Sequence, residues 1–160
     1  MKKTKTKVDN SISKNISYKE ATFSQTAKNL KIKNVPTEQH LKNMKAVAEN
    51  VFQPLREWAD HPIRINSMYR CEELNTAIRG SLNSQHIKGQ AIDLSSLGEK
   101  TNGELFEYIK ENLDFDQMIW EFGDDENPKW IHVSYVNKKS NRNRILRAKY
   151  RGSSVTYHII

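Results

Sequence analysis

Three residues of this 160-residue chain have the types and placement to hold a metal ion: His86, Asp93 and His132. His86 and Asp93 lie in "SQHIKGQAIDLSS", seven positions apart, which is neither one helical face nor one strand face. For them to meet, the chain must turn between them, and Gly89 can supply that turn. The third ligand fits on "WIHVSYV" (130–136), where Ile131 and Val133 point to one side of a strand and His132 and Ser134 to the other. Two imidazoles and a carboxylate leave one position of a tetrahedral zinc ion open for water, which is the pattern of a catalytic rather than a structural centre. A His-x6-Asp spacing alone is weak evidence, but its surroundings fit as well. Ser84 can hydrogen-bond near the metal, and small Ala91 permits close packing beside Asp93. The other histidines fit worse: His40 falls on the polar side of a helix, His61 precedes a proline, and His158 is close to the C-terminus. We read these three as structural or surface residues.

Positioning such a set needs a rigid scaffold, and the hydrophobic periodicity describes one. In 37–58, Leu41, Met44, Val47, Val51, Leu55 and Trp58 recur at helical spacing behind an N-cap at Thr37, with a kink expected at Pro54. "PIRINSMY" (62–69) alternates as a strand, and "CEELNTAIR" (71–79) suits a short helix closed by Gly80. "QAIDLSS" (90–96) reads as a strand and "NGELFEYIKENL" (102–113) as a second amphipathic helix. Two strands follow, 116–123 and 130–136, joined by "DDENPK", and then a basic strand-like piece, "NRILRAKYR". Helices lead and an antiparallel sheet carries the middle and end, so the fold class is α+β.

Composition sets the outer limits. The length suits one domain, preceded by a flexible basic tail (1–15) and followed by a basic C-terminal extension (138–160) packed on or extending the same domain. No apolar run approaches a membrane span. The lysines of "MKKTKTKVDNSISKN" have no apolar stretch behind them, so we expect no signal peptide and a chain that is cytoplasmic at synthesis. Cys71 is the single cysteine, which excludes an internal disulfide and a Cys-rich zinc site. A net charge of +7 favours an anionic partner, either nucleic acid or a bacterial wall. No aromatic–basic motif supports nucleic acid, which ranks last.

The run "SQHIKGQAID" resembles the Ser-x-His-x-x-Gly-x-Ala-x-Asp signature of peptidase family M15, the zinc D-Ala-D-Ala carboxypeptidases and related wall endopeptidases. Every fixed position of that signature is present. "WIHVSY" resembles the family's third-ligand strand, and "INSMYRCEELN" its "SGYR…N" segment, with Asn66-Ser67-Met68 where Ser-Gly is usual. The resemblance spans roughly 16–136, within a domain read as 16–137, and implies the fold shared with hedgehog signalling domains, a small antiparallel sheet with N-terminal and crossover helices. It further implies one zinc ion on His86, Asp93 and His132. The peptide stem of peptidoglycan is the implied substrate, and the cell wall or a phage particle the implied place of action.

Such an enzyme needs a carboxylate that takes a proton from the attacking water and passes it to the leaving amine. Many family members carry it three positions before the last histidine, but Lys129 stands there. If the two last strands pair across a six-residue loop, 124–129, then Glu121 opposes His132 and projects beside the metal, since opposed residues share a face. Glu121 is the expected base, with Glu126 the alternative. By resemblance, Arg70 polarises the scissile carbonyl and holds its developing negative charge. Ser84, Ser134 and Tyr69 are expected to contact substrate or support the metal ligands. A second reading keeps the zinc but not the catalysis, as a structural or binding module of a virion or wall assembly.

Overall fold

The protein is described here by a computed structural model covering residues 11–160, so the first ten residues of the expected tail lie outside the described residues. Residues 11–15 do not behave as tail. Ile12 and Ile16 are buried in the main core, and Ser13 forms a β-bridge with Ile16. Two isoleucines four positions apart outweigh the polar composition around them, because each gains about 1.5–3 kcal/mol on full burial.

Among the described residues, six α-helices, a π-turn, a 3-10 turn and six strands follow. Helices α1 (Tyr18–Thr22) and α2 (Gln25–Leu30) are short and capped by Ser17 and Ser24. Helix α3 (Glu38–Val47) begins at Thr37, whose hydroxyl accepts from the His40 amide while the His40 ring accepts from the Thr37 amide. It runs through a π-turn (Ala48–Phe52) into α4 (Gln53–Ala59). That wide turn is the expected irregularity at Pro54: a proline lacks the amide a regular helix would use, and one extra residue per turn accommodates the loss. Met44, Val47, Val51 and Leu55 are buried, Leu41 is half-buried, and Trp58 lies over Tyr108 at the surface with ring centroids 4.1 Å apart.

Strand β1 (Ile63–Ser67) leads to α5 (Glu72–Ala77), then a 3-10 turn (Gln85–Lys88), β2 (Ala91–Ser96) and α6 (Asn102–Asn112). Helix α5 does not close on Gly80 as expected. Arg79 takes the left-handed conformation, φ 57°, and Gly80 instead leaves room for the Asn75 side chain lying against it. Strands β3 (Gln117–Glu121), β4 (Trp130–Ser134), β5 (Arg144–Arg151) and β6 (Ser154–Ile159) complete one sheet in the order β1-β2-β4-β3-β5-β6.

The fold is α+β, with one departure from an all-antiparallel sheet: β5 runs parallel to β3. After β4 the chain reverses and crosses to the far side of β3. A strand opposite in direction to β4 must then match β3. Strand β6 pairs with β5 from Leu146↔Ile159 to Arg151↔Ser154 and lies beyond the strand-like runs read from the sequence. One face of the sheet buries Ile92, Leu94, Met118, Trp120, Ile131 and Val133 against Met44, Val47, Phe52, Leu55, Leu105, Phe106 and Ile109 of the helices. The opposite face is left for chemistry. Among the described residues, no helix is long and apolar enough to cross a membrane.

Candidate metal centre and active-site cleft

The alternation along β2 and β4 sends Asp93 and His132 to the face away from the helices. The two are direct partners across the ladder, which sets their Cβ atoms about 4.5–5.5 Å apart. His86 comes from the 3-10 turn. Gly89, at φ 69°, reverses the chain from that turn into β2, where a side chain would meet the His40 carbonyl at 2.7 Å. The result is a triangle of ligand atoms. His132 Nδ1 lies 2.9 Å from Asp93 Oδ1, and His86 Nε2 lies 3.2 Å from Asp93 Oδ1 and 3.3 Å from His132 Nδ1.

The hydrogen bond on the far side of His86 decides what this triangle can hold. His86 Nδ1 lies 2.7 Å from the Met68 carbonyl, which can only accept, so Nδ1 carries the proton and Nε2 presents a lone pair. His86 is buried, and burial pushes its pKa below the usual histidine value, outweighing the attraction of Asp93. Burial would raise the Asp93 carboxyl, but both imidazoles and their hydrogen bonds hold it far below the ordinary carboxylate range. A neutral imidazole, an ionised carboxylate and a second imidazole thus turn electron pairs toward one point. Tetrahedral zinc with bonds of about 2.0–2.1 Å sets its ligand atoms about 3.3 Å apart. The three residues fit a metal ion in both spacing and donor chemistry.

A family model described as Peptidase M15 matches residues 14–134, more than half of the chain. The chain belongs to the M15 peptidase family. A search of curated proteins returned no match. Membership supports a metallopeptidase, and the His86–Asp93–His132 group gives this M15 domain a place for the metal. The matched region ends at Ser134, and β5 and β6 lie beyond it.

The triangle lies in a cleft of about 1000 Å³ that is also lined by Arg70, Ser84 and Glu121. The expected pairing of Glu121 with His132 needs correction. Ile119 opposes His132, and Glu121 opposes Trp130. Phe122 and Gly123 leave the ladder in left-handed conformations, φ 57° and 73°, and the Lys129 amide closes the loop on the Glu121 carbonyl, so the loop is 122–129 rather than 124–129. A shift of two residues preserves the face. Glu121 is 8% exposed on the metal-bearing side, where burial raises its carboxyl to about 7, with His132 opposing and Asp93 adding to that rise.

Glu126 sits elsewhere. Its loop folds toward the start of α6, where its carbonyl lies against Gly103 and Asn127 Oδ1 accepts from the Gly103 amide. Ser84 lies 3.4 Å from an Arg70 nitrogen. Tyr69 turns into the helical core against His40, with ring centroids 4.9 Å apart, and does not line the cleft. Ser134 is fully buried, with its hydroxyl accepting from the Gln117 amide at 3.0 Å.

Two positioning residues are visible only in three dimensions. Asn34 accepts from the Cys71 amide and donates to the Tyr69 carbonyl, which fixes the backbone on both sides of Arg70. Asp116 accepts from Gln85, next to the ligand His86, and from both Nε and Nη2 of Arg142, at 2.9, 2.9 and 2.6 Å. It therefore ties the ligand turn to the approach to β5. No local pattern announces either residue, because Arg142, Gln85, Tyr69 and Cys71 lie 26 to 37 positions from the side chains they meet.

Burial would raise the Asp116 carboxyl, but the Arg142 and Gln85 hydrogen bonds hold it below the usual range. Asp116→Ala should cost about 1 kcal/mol at pH 7, since it removes the hydrogen bonds to Gln85 and Arg142 but Arg142, 53% exposed, can turn to water. The contribution is complete above the unfolded value near 3.8 and is lost as pH falls through the depressed folded value. Urea melts of both proteins at pH 7 and pH 3 test this, the gap between them narrowing at low pH.

Proposed function

We propose that this M15 domain is a zinc-dependent peptidase that hydrolyses an amide bond in the peptide stem of bacterial peptidoglycan. The convergence of His86 Nε2, Asp93 Oδ1 and His132 Nδ1 within 3.3 Å of one another, in a cleft shared with Glu121 and Arg70, carries this reading. His86, Asp93 and His132 hold the metal. Zinc bound there supplies a Lewis acid that acidifies the attacking water and polarises the scissile carbonyl. Glu121 takes the proton of the attacking water and delivers it to the departing amine. Its raised pKa suits both halves of that task, because a group near neutrality can accept and release a proton. Arg70 attracts the carbonyl oxygen as negative charge develops on it, and Ser84 orients the Arg70 guanidinium.

The charge of the cleft supports a wall substrate. Arg70, Arg79, Lys88, Arg142 and Arg144 line it, and a stem peptide rich in carboxylates complements that field. The enzyme then acts at the cell wall, as a lytic protein or as part of a phage particle. Mass spectrometry of fragments released from purified sacculi, with and without a chelator, tests the proposal. Peptide or amino-acid release that stops with chelator is the expected result. No release by zinc-loaded protein across several wall chemotypes would leave a zinc-bearing structural or binding module as the better reading.

A further inference from the structure

Strands β5 and β6 lie outside the matched region, yet Arg144, Leu146 and Tyr157 of this hairpin line the metal cleft. The register explains why. Gln117, Ile119 and Glu121 of β3 oppose Arg144, Leu146 and Ala148 of β5, and Ala148 opposes Tyr157 of β6. The side that carries Glu121 therefore continues over the hairpin as Arg144, Leu146, Ala148 and Tyr157. Leu146 and Ala148 pack with Ile119 and Phe122 into a small apolar floor, and Tyr157 stands at its Glu121 end. Arg144 stands at the other end.

Resting on the function proposed above, the two sides of the metal have different duties. Arg70, beyond β1, attracts the carbonyl oxygen. Glu121, on β3, hands a proton to the leaving nitrogen, so the leaving half of the substrate extends over β3 toward β5 and β6. There it meets Arg144. Arg142 is committed to Asp116 and Arg147 to Asp125, whereas the exposed Arg144 guanidinium has no hydrogen bond or ion pair among the described residues. Arg144 lies two strands across from His132 and two residues along, about 12 Å between Cα atoms at ladder spacing. One residue of leaving group, about 3.5 Å long, together with an extended arginine side chain reaches across what the metal and its ligand leave of that gap.

We propose that the β5–β6 hairpin is the leaving-group subsite, in which Arg144 pairs with the free α-carboxylate of a single departing residue. The reaction is then hydrolysis of a C-terminal residue: water adds to the amide carbon, the C–N bond breaks, and the amine leaves with the proton from Glu121. Leu146 and Tyr157 bound the side chain of that residue, a pocket suited to a small apolar group.

The test compares a stem-type peptide ending in a free carboxylate with its C-terminal amide, using zinc-loaded wild type and Arg144→Ala. Both kcat/KM and peptide binding by calorimetry are read. Wild type should favour the acid, and Arg144→Ala should lose about tenfold to a hundredfold on the acid, mainly in KM and binding, with a much smaller loss on the amide. Arg144→Lys should recover part of the loss. Equal losses on acid and amide, or none on either, would overturn the pairing while leaving the peptidase reading intact. A wild type that neither binds nor cleaves either peptide would overturn both.

Discussion

Replacing Glu121 by Gln is expected to lower kcat about 10²–10⁴-fold while leaving the fold and the metal content unchanged. The substitution keeps the shape of a side chain that is 8% exposed at the end of β3 and removes only its ability to accept a proton. It does not touch the three ligand atoms, which belong to β2, β4 and the 3-10 turn. The pH profile supplies an independent signature. A base works only when ionised, so kcat/KM of the wild type should fall as pH drops through the Glu121 pKa. Burial raises that value to about 7, and a divalent cation beside it would pull it lower. The acidic limb should therefore lie below 7 in the zinc-loaded enzyme, and the Gln variant should lose it. A Gln variant with near wild-type kcat and bound zinc would remove Glu121 from the chemistry and reopen the choice of base.

His132→Ala is expected to reduce hydrolysis to background and bound metal to well below one equivalent. Three donors 2.9 to 3.3 Å apart enclose one ion, and two donors leave it held only by a turn and a strand. Chelation of the wild type should reproduce the activity loss, and added zinc should reverse it. Stability should follow the same pattern, because an ion that binds only the folded state stabilises it by about 4 kcal/mol at a thousand times its dissociation constant. Thermal melts with and without zinc should therefore separate for the wild type and coincide for His132→Ala. Full metal content in the variant would place the ion elsewhere.

Much of this arrangement is legible in the amino-acid order because short-range rules produce it. The His86–Gly89–Asp93 turn needs one left-handed residue, and a glycine stands where it is needed. Strand alternation alone separates His132 from Ile131 and Val133. Helix α3 starts at its expected cap, and the irregular turn that leads into α4 falls just before Pro54. The observed pairing of Glu121 differs from the expected one by two residues, since register depends on where a loop leaves the ladder. Phe122 departs in a left-handed conformation that an aromatic residue gives no reason to expect. The side of the sheet survived because a shift of two is a full strand period.

What could not be read rests on distant contacts. Ile12 looks like tail until a core is there to receive it. Strand β6 alternates Val155, Tyr157 and Ile159 with polar residues, but its place in the sheet depends on β5 offering an edge. Tyr69 and Arg70 are neighbours in "SMYRC", yet one turns to the helices and the other to the metal side. Asn34, which fixes that segment, lies 35 residues away from Tyr69.

X-ray absorption at the zinc edge of the purified, zinc-loaded protein tests the metal centre most directly. The arrangement of His86, Asp93 and His132 predicts one equivalent of zinc with nitrogen and oxygen ligands at about 2.0–2.1 Å and two imidazoles in the outer scattering. A sulfur ligand near 2.3 Å, which only Cys71 or a methionine could supply, or a protein that retains no zinc after desalting, would contradict it.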